Sequence, residues 1–358
     1  MIPAAKPLIG DEEREAVDRV LRSGMIAGGP EVAAFEEEFS AHVDGRECVA
    51  VNSGTSALHM GLIAAGVGPG DEVIVPSFTF AATGNSVALA GATPVFVDID
   101  PDTFCIDSVA IEAAITDRTV GIMPVHLYGH PASMPAILEL AARHGLKVFE
   151  DAAQAHDASL NGTKVGAFGE FGAFSFYPTK NMTSAEGGMV SVIGSEFARM
   201  VRLLRNQGME RRYENEVIGF NTRMTDVHAA IGRVQLEKLP EWTKKRQTNA
   251  AYFDSNLEGV ITPVVAPGAV HVYHQYTIKV IDHDRDEFVG QLAQRGVGSG
   301  VYYPTPTHEL PSFRLALDLP VTDEIKQQVI SLPVYPSLSE DELETIVKAV
   351  NEVAKAGS

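Results

Sequence analysis

Residues 174–190 read FSFYPTKNMTSAEGGMV. The apolar run over Phe171–Phe176 has the length and aromatic content of a buried strand. It breaks at Pro178, and Lys180 follows in a turn with small and polar residues after it. A second apolar run, Leu146–Phe149, ends in Glu150-Asp151-Ala152-Ala153-Gln154. Two strands that each end in a reactive side chain set a lysine and an acid at one edge of a sheet, the edge where open α/β sheets bind ligands.

The flanking sequence repeats this pattern. Short strands are expected over Cys48–Val51, Glu72–Val75, Pro94–Val97, Val120–Val125, Lys147–Phe149 and Met189–Val192. Helices are expected between them over Ser56–Ala65, Phe80–Ala90, Ser108–Ile115 and Met134–His144. Strand–helix alternation of this kind predicts an α/β fold, a mostly parallel central sheet flanked by helices. Two amphipathic helices, Asp11–Ser23 and Glu31–Val43, precede it around the turn Gly24–Pro30. A long helix after Thr225 reaches about Leu257, and Pro240 inside it should kink or restart it. The remainder reads as a smaller α+β domain, with strands near Tyr276–Val280 and Gly298–Tyr303 and helices over Arg285–Arg295 and Glu340–Ala354. The expected division is 1–245 for the large domain and 246–358 for the small one, in keeping with a chain of 358 residues.

Composition narrows the function. The formal charge is −19, from 28 basic and 47 acidic residues, which argues against nucleic-acid binding. An anionic substrate would have to be held by backbone N–H groups and a few local cations. No basic leader and no run of 18 apolar residues is present, so a cytoplasmic protein with no membrane partner is expected. Cys48 and Cys105 lie in apolar surroundings and read as packing residues. The histidines show no metal-ligand spacing, and no metal site is expected.

A lysine in a turn is, taken alone, a surface residue. Paired with an acid at a neighbouring strand end, it matches what pyridoxal phosphate (PLP) requires: an amine to form a Schiff base with the aldehyde, and a carboxylate to pair with the pyridinium nitrogen. Lys180 needs a pocket that lowers its pKa. Asp151 reads either as the pyridinium partner or as a helix N-cap, and alternation sends Glu150 to the other face. Ser53-Gly54-Thr55 follows a strand and opens a helix, an arrangement suited to a phosphate, with Ser175 as a second hydroxyl within reach. Phe80 reads either as a ring that stacks on the pyridine or as core packing.

Taken in order, GMIAGGP (24–30), VNSGTSALHMGL (51–62), GDEVIVPSFTFAAT (70–83), ATPVFVDID (92–100), EDAAQAHDA (150–158), FGAFSFYPTKNMTSAEGGMV (171–190), GFNTRMTDVHAAIGRVQLEKL (219–239) and SLPVYPSLSEDE (331–342) resemble the sugar-nucleotide aminotransferases of the DegT/DnrJ/EryC1/StrS family, within the fold type I, aspartate aminotransferase-like PLP enzymes. By that resemblance Lys180 is the Schiff-base lysine, Asp151 the pyridinium partner and Gln154 the neighbour of the phenolic oxygen. Phe80 stacks on the ring, and Gly54, Thr55 and Ser175 cradle the phosphate. Asn221 reaches the phosphate from the neighbouring subunit, which implies a homodimer with shared active sites. Some relatives carry histidine at the Lys180 position and act as dehydratases. Met25 stands where many relatives have an aromatic, and His156-Asp157 replaces a commoner His-Gly pair.

The expected activity is PLP-dependent transamination from L-glutamate to the keto sugar of a nucleoside diphosphate. Glu186-Gly187-Gly188 resembles members that aminate at C4, giving a perosamine-like product, whereas C3 enzymes more often read Gly-Asp-Gly-Gly there. The alternatives are a 3-keto-sugar or keto-cyclitol aminotransferase, or a regulatory relative without turnover. Met25, Arg223, Tyr302 and His308 are candidate substrate contacts. Arg223 reads equally as a holder of a carboxylate or diphosphate and as half of a structural ion pair, and His308 also reads as a plain loop residue.

Overall fold

The computed structural model describes residues 1–356. Two helices open the chain, α1 (Asp11–Ser23) and α2 (Pro30–His42). The acidic first turn of α1 faces the positive end of its helix dipole, and Glu13 caps it by accepting from the Gly10 amide at 2.8 Å. The alternating stretch then runs β1 (Glu47–Val51), α3 (Gly54–Ala64), β2 (Glu72–Pro76), α4 (Ala81–Leu89), β3 (Thr93–Val97), α5 (Ser108–Ala114), β4 (Thr119–Ile122), α6 (Met134–His144) and β5 (Lys147–Asp151). A small hairpin, β6 (Ser159–Leu160) and β7 (Thr163–Lys164), leads to β8 (Phe171–Ser175), β9 (Gly188–Val192) and α7 (Ser195–Arg205).

Seven strands form one sheet in the order β1-β9-β8-β5-β4-β2-β3. The pairs β2/β3, β2/β4, β4/β5 and β5/β8 are parallel, while β9 runs antiparallel to both β8 and β1. Apolar side chains leave each strand alternately to the two faces. Val73 and Val75 join Leu58, Met60 and Phe171 in one core, while Ile74 joins Ile122, Ile137 and Val148 in the other. Helices cover both faces, as a buried parallel sheet requires.

The long helix α8 (Asp226–Asn256) packs against α1 and α2. The remaining elements are β10 (Ala269–Val270), β11 (Tyr276–Lys279), α9 (Arg285–Gln294), α10 (Pro320–Gln328), β12 (Val329–Leu332) and α11 (Glu340–Ala356). β11 and β12 pair antiparallel, and Phe253, Tyr276, Ile278, Phe288, Ile330, Ile346 and Val350 form a separate core over them. Residue 245 falls inside α8; Leu236 and Leu239 of that helix pack with Phe35, Phe39 and Phe174, while its Ala250 and Phe253 belong to the separate core.

Two expectations are corrected. Pro240 lies within one continuous helix, so the helix does not restart there. Before it, Gln235 Nε2 donates to the Leu8 carbonyl at 2.8 Å and Lys238 pairs with Glu13 at 2.8 Å. After it, Asn249 Nδ2 donates to the Tyr335 carbonyl at 3.2 Å, so anchors on both sides hold the helix across the missing N–H. The segment 298–303 forms no strand and makes only one bridge, Gly300 to Ser331. Its two tyrosines serve the cavity described below. Both cysteines are buried and free. Among the described residues no helix is long and apolar enough to cross a membrane.

Candidate active site

β5 and β8 are adjacent and parallel, so their carboxyl ends open on one side. A cavity of about 410 Å³ lies there, and Asp151, Ser175 and Lys180 all line it. Strand alternation separates the two neighbouring acids. Glu150 points away and is fully buried; it accepts from the amides of Gly166, Phe168 and Gly169 at 2.7–2.8 Å. His126 Nε2 lies 3.0 Å from it. Because His126 Nδ1 accepts from the Ala132 amide at 3.0 Å, its proton sits on Nε2 and is donated to Glu150. Glu150 therefore holds the 166–169 loop, and Asp151 is the acid that faces the cavity.

Asp151 is held by Thr83 Oγ1 at 2.7 Å and by the Ala153 amide at 3.2 Å. Burial raises its pKa, against the pull of those hydrogen bonds and of the Lys180 charge. Lys180 follows the β8 strand end, its amide donating to the Tyr177 carbonyl at 2.9 Å. Burial brings its pKa down to about 8, with Asp151 acting the other way. His156 packs near Phe174 and Phe176, with ring centroids 5.5 and 5.6 Å apart. Burial, reinforced by the Lys180 charge, drives its pKa down to about 3. The same two causes push His274 well below the usual imidazole range. The amine thus has neutral imidazoles around it and one carboxylate.

The other end of the cavity is the start of α3. Ser53 caps that helix by accepting from the Ser56 amide at 3.1 Å, which leaves the Gly54 and Thr55 amides outside the helix's own ladder. The turn sits tightly on β8. A Cβ on Gly54 would lie 2.7 Å from Ser175 Cβ, and one on Gly188 would lie 2.3 Å from the Ser53 carbonyl oxygen. Two glycines therefore let free amides and the Thr55 and Ser175 hydroxyls share one wall of the cavity. That wall suits a phosphate.

Gln154 Oε1 accepts from the Tyr128 amide at 2.8 Å and its Nε2 donates to Tyr303 Oη at 2.9 Å, so its orientation is set from both sides. Phe80 is 58% exposed and lines the cavity, a placement for which core packing gives no account. An amine, a buried acid, an amide cradle and an exposed ring in one cavity fit pyridoxal phosphate: Lys180 for the aldehyde, Asp151 for the ring nitrogen, Gly54, Thr55 and Ser175 for the phosphate.

Tyr302 also lines the cavity. His308 does not; it is buried, with Nδ1 2.6 Å from Ser77 Oγ. Asn221, Arg223 and Met25 are exposed and outside the cavity of their own chain. Arg223 Nη1 donates to Asn206 Oδ1 at 2.9 Å, not to a carboxylate, and lines a separate cavity of about 390 Å³ beside Arg202 and Arg205. Thr83, Tyr303 and His274 were not anticipated. Thr83 had a signal, since it lies one helical turn after Phe80; Tyr303 and His274 come from distant segments that carry none.

The chain matches the model of the DegT/DnrJ/EryC1/StrS aminotransferase family over residues 7–351. It is 41% identical to the dTDP-3-amino-3,4,6-trideoxy-alpha-D-glucose transaminase of Streptomyces venezuelae, over 99% of this chain and 95% of that protein. It is 39% identical to the GDP-perosamine synthase of Caulobacter vibrioides, over 98% of each. Among solved structures, S. venezuelae DesV in complex with a ketimine intermediate superposes with a TM-score of 0.93 at 42% identity, covering 96% of this chain and 95% of that one. The PLP form of a putative sugar aminotransferase from Streptococcus pneumoniae superposes with a TM-score of 0.95 at 28% identity, covering 100% of this chain and 99% of that one. With the family model spanning nearly the whole sequence, the chain belongs to the DegT/DnrJ/EryC1/StrS aminotransferase family.

Proposed function

We propose that this PLP-dependent aminotransferase moves an amino group from L-glutamate to the keto carbon of a nucleoside-diphosphate sugar, as a cytoplasmic homodimer with shared active sites. The observation that carries the reading is the convergence of Lys180, Asp151 and the Ser53–Thr55 turn on one cavity. Pyridoxal phosphate, when bound, supplies an aldehyde that takes up the amine and a ring that accepts the electrons released at the donor's α-carbon. Asp151 would hold a proton at the ring nitrogen. Lys180, whose burial brings its pKa down to about 8, would take the proton released at the donor's α-carbon and deliver it again. The Gly54 and Thr55 amides with the Thr55 and Ser175 hydroxyls would bind the phosphate and fix the ring's position. Gln154, oriented by Tyr128 and Tyr303, would donate at the phenolic-oxygen side.

For the ring position we favour C4, on the Glu186-Gly187-Gly188 sequence, and Glu186 lines the cavity. A 3-keto substrate is the second reading, favoured by the product named for the S. venezuelae relative. Single-turnover assays with paired 3-keto and 4-keto nucleotide sugars decide it, and preference for the 3-keto compounds overturns C4. Shared sites are supported by Asn221, which is exposed and lies outside its own cavity. Mixing Lys180→Ala subunits with Asn221→Asp subunits should restore activity that neither shows alone. Loss of the protein's yellow colour on adding L-glutamate tests the first half-reaction; an unchanged spectrum rules out that donor.

A further inference from the structure

Asp151 stands at the end of a directed chain of hydroxyls. An ionised carboxylate only accepts, so the single proton of Thr83 Oγ1 is given to Asp151 Oδ2, at 2.7 Å. The 2.9 Å contact between Thr79 Oγ1 and Thr83 Oγ1 is then a donation from Thr79. Thr79 has no part in capping α4, whose N-cap is Phe80 and which carries no side-chain cap. Behind Thr79 stands a segment from far along the chain. Thr307 Oγ1 donates to the Thr79 carbonyl at 2.9 Å, across 228 residues of sequence. The Thr307 amide donates to the Ser77 carbonyl at 2.9 Å, and His308 Nδ1 lies 2.6 Å from Ser77 Oγ. Thr79, Thr83, Asp151, Thr307 and His308 are all buried.

The segment around Thr307 serves the cavity at other points too. Tyr303, just before it in sequence, has its ring centroid 6.1 Å from that of Phe80, and its hydroxyl accepts from Gln154 at 2.9 Å. Residues 303–308 thus reach the supports of three cavity-lining residues, Asp151, Phe80 and Gln154. On its other side the 77–79 turn is tied to the end of β3, where the Ser77 amide donates to the Val97 carbonyl at 3.0 Å. A turn gripped from both sides presents its hydroxyl in one direction.

We infer that Thr79 and Thr307 are positioning residues: Thr307 holds the 77–79 turn so that the Thr79 hydroxyl is aimed at Thr83, and that donation fixes the hydrogen bond which Thr83 gives to Asp151. The inference rests on the assignment of Asp151 to the ring nitrogen in the function proposed above. Hydrogen bonds in a chain polarise one another where the local dielectric is low, so a Thr83 hydroxyl that receives a bond is a better donor to the carboxylate. The Thr83 bond already favours the ionised form of Asp151 against the effect of burial. Without Thr79, the Thr83 hydroxyl loses both this polarisation and the neighbour that sets its direction.

The test reads the Asp151 pKa in the cofactor-free protein, by carbon-13 NMR of aspartate labelled at the side-chain carboxyl, with the Asp151 signal identified by its loss in Asp151→Asn. Lys180, His126 and Tyr303 are the other titratable groups coupled to Asp151, and the variants leave all three in place. Thr79→Val should raise the Asp151 pKa by about 0.3–1 pH unit, with Thr79→Ser close to the parent. Thr307→Val should raise it as well, and should add nothing in the Thr79→Val background, because it acts through Thr79. Thermal midpoints identify a misfolded variant, and Thr79→Ala or Thr307→Ala then takes its place. An Asp151 pKa unmoved in Thr79→Val overturns the inference. So does a Thr307→Val effect that is equally large without the Thr79 hydroxyl, which marks general packing. Turnover of Asp151→Asn tests the underlying assignment separately. Full turnover there overturns both the ring-nitrogen role and the positioning roles, whereas a loss of turnover with an unmoved pKa in Thr79→Val overturns the positioning roles alone.

Discussion

Thr83 Oγ1 donates a 2.7 Å hydrogen bond to Asp151 Oδ2, joining the first turn of α4 to the end of β5. Both side chains are buried, and Thr83 Oγ1 also lies 2.9 Å from Thr79 Oγ1. Burial raises the Asp151 pKa and this bond lowers it. Thr83→Val keeps the shape and removes the bond, worth about 1.5–3 kcal/mol to a charged group. The Asp151 pKa should then rise further. The expected result is a kcat/KM lower by about 10-fold or more and an acid limb of the pH profile displaced to higher pH, with Thr83→Ser close to the parent. An unmoved acid limb in Thr83→Val counts against this role.

Glu150 and Asp151 are neighbours with opposite duties. Asp151→Asn should fold normally and lose roughly 10²- to 10⁴-fold in turnover. Glu150→Gln turns an amide N–H₂ toward amides that now donate to a carboxylate, and should cost about 1–3 kcal/mol of stability. Chemical denaturation and single-turnover kinetics on both variants separate the two effects; the reverse pattern would exchange the assignments.

Gly54 is required by close approach, not by an unusual backbone angle. In Gly54→Ala the new methyl would lie 2.7 Å from Ser175 Cβ and 3.2 Å from its Cα, atoms that cannot swing aside. The turn must move, at a cost of about 1–3 kcal/mol. PLP affinity should fall by about 10-fold or more, measured by equilibrium dialysis of the variant against the parent. Equal affinities would show that the cradle lies elsewhere.

Lys180 sets a pH dependence that can be read on the protein free of cofactor. Its folded pKa, about 8, lies below the ordinary lysine value of about 10.4. The unfolded chain therefore holds the proton between those values while the folded protein has released it. Through Lys180, stability should rise with pH across that window, and Lys180→Met should remove that part of the rise. Because only the neutral amine attacks an aldehyde, the rate of PLP uptake should rise with pH up to about 8 and level off above it. A rate that falls across this range contradicts the assigned pKa.

Lys180→Ala should bind PLP without forming the Schiff base and lose at least about 10²- to 10⁴-fold in turnover. Mass spectrometry after borohydride reduction should find cofactor attached at Lys180 in the parent and none in the variant. Repeated turnover by the variant would end the assignment.

Much of this protein is local and therefore legible in its sequence. Strand and helix periods, the turn at Ser53-Gly54-Thr55 and the strand-end placement of Asp151 and Lys180 depend on a few consecutive residues, and so does the choice of Asp151 over Glu150, which follows from a period of two. What depended on partners far along the chain was not legible. Segment 298–303 has the composition of a strand, but a strand exists only where another offers a ladder, and Gly300 finds one bridge to Ser331. Pro240 reads as a break until the anchors on either side of it are known. His308 looked available until Ser77 was found against it. Thr83, Tyr303 and Thr307 are unremarkable in one dimension. The reactive groups and the order of elements were determined by the sequence alone, because short-range sterics and hydrophobic period dictate them. Which polar groups are buried and which are paired was decided only by the tertiary structure, because desolvation depends on everything packed around a group and not on its neighbours in the chain.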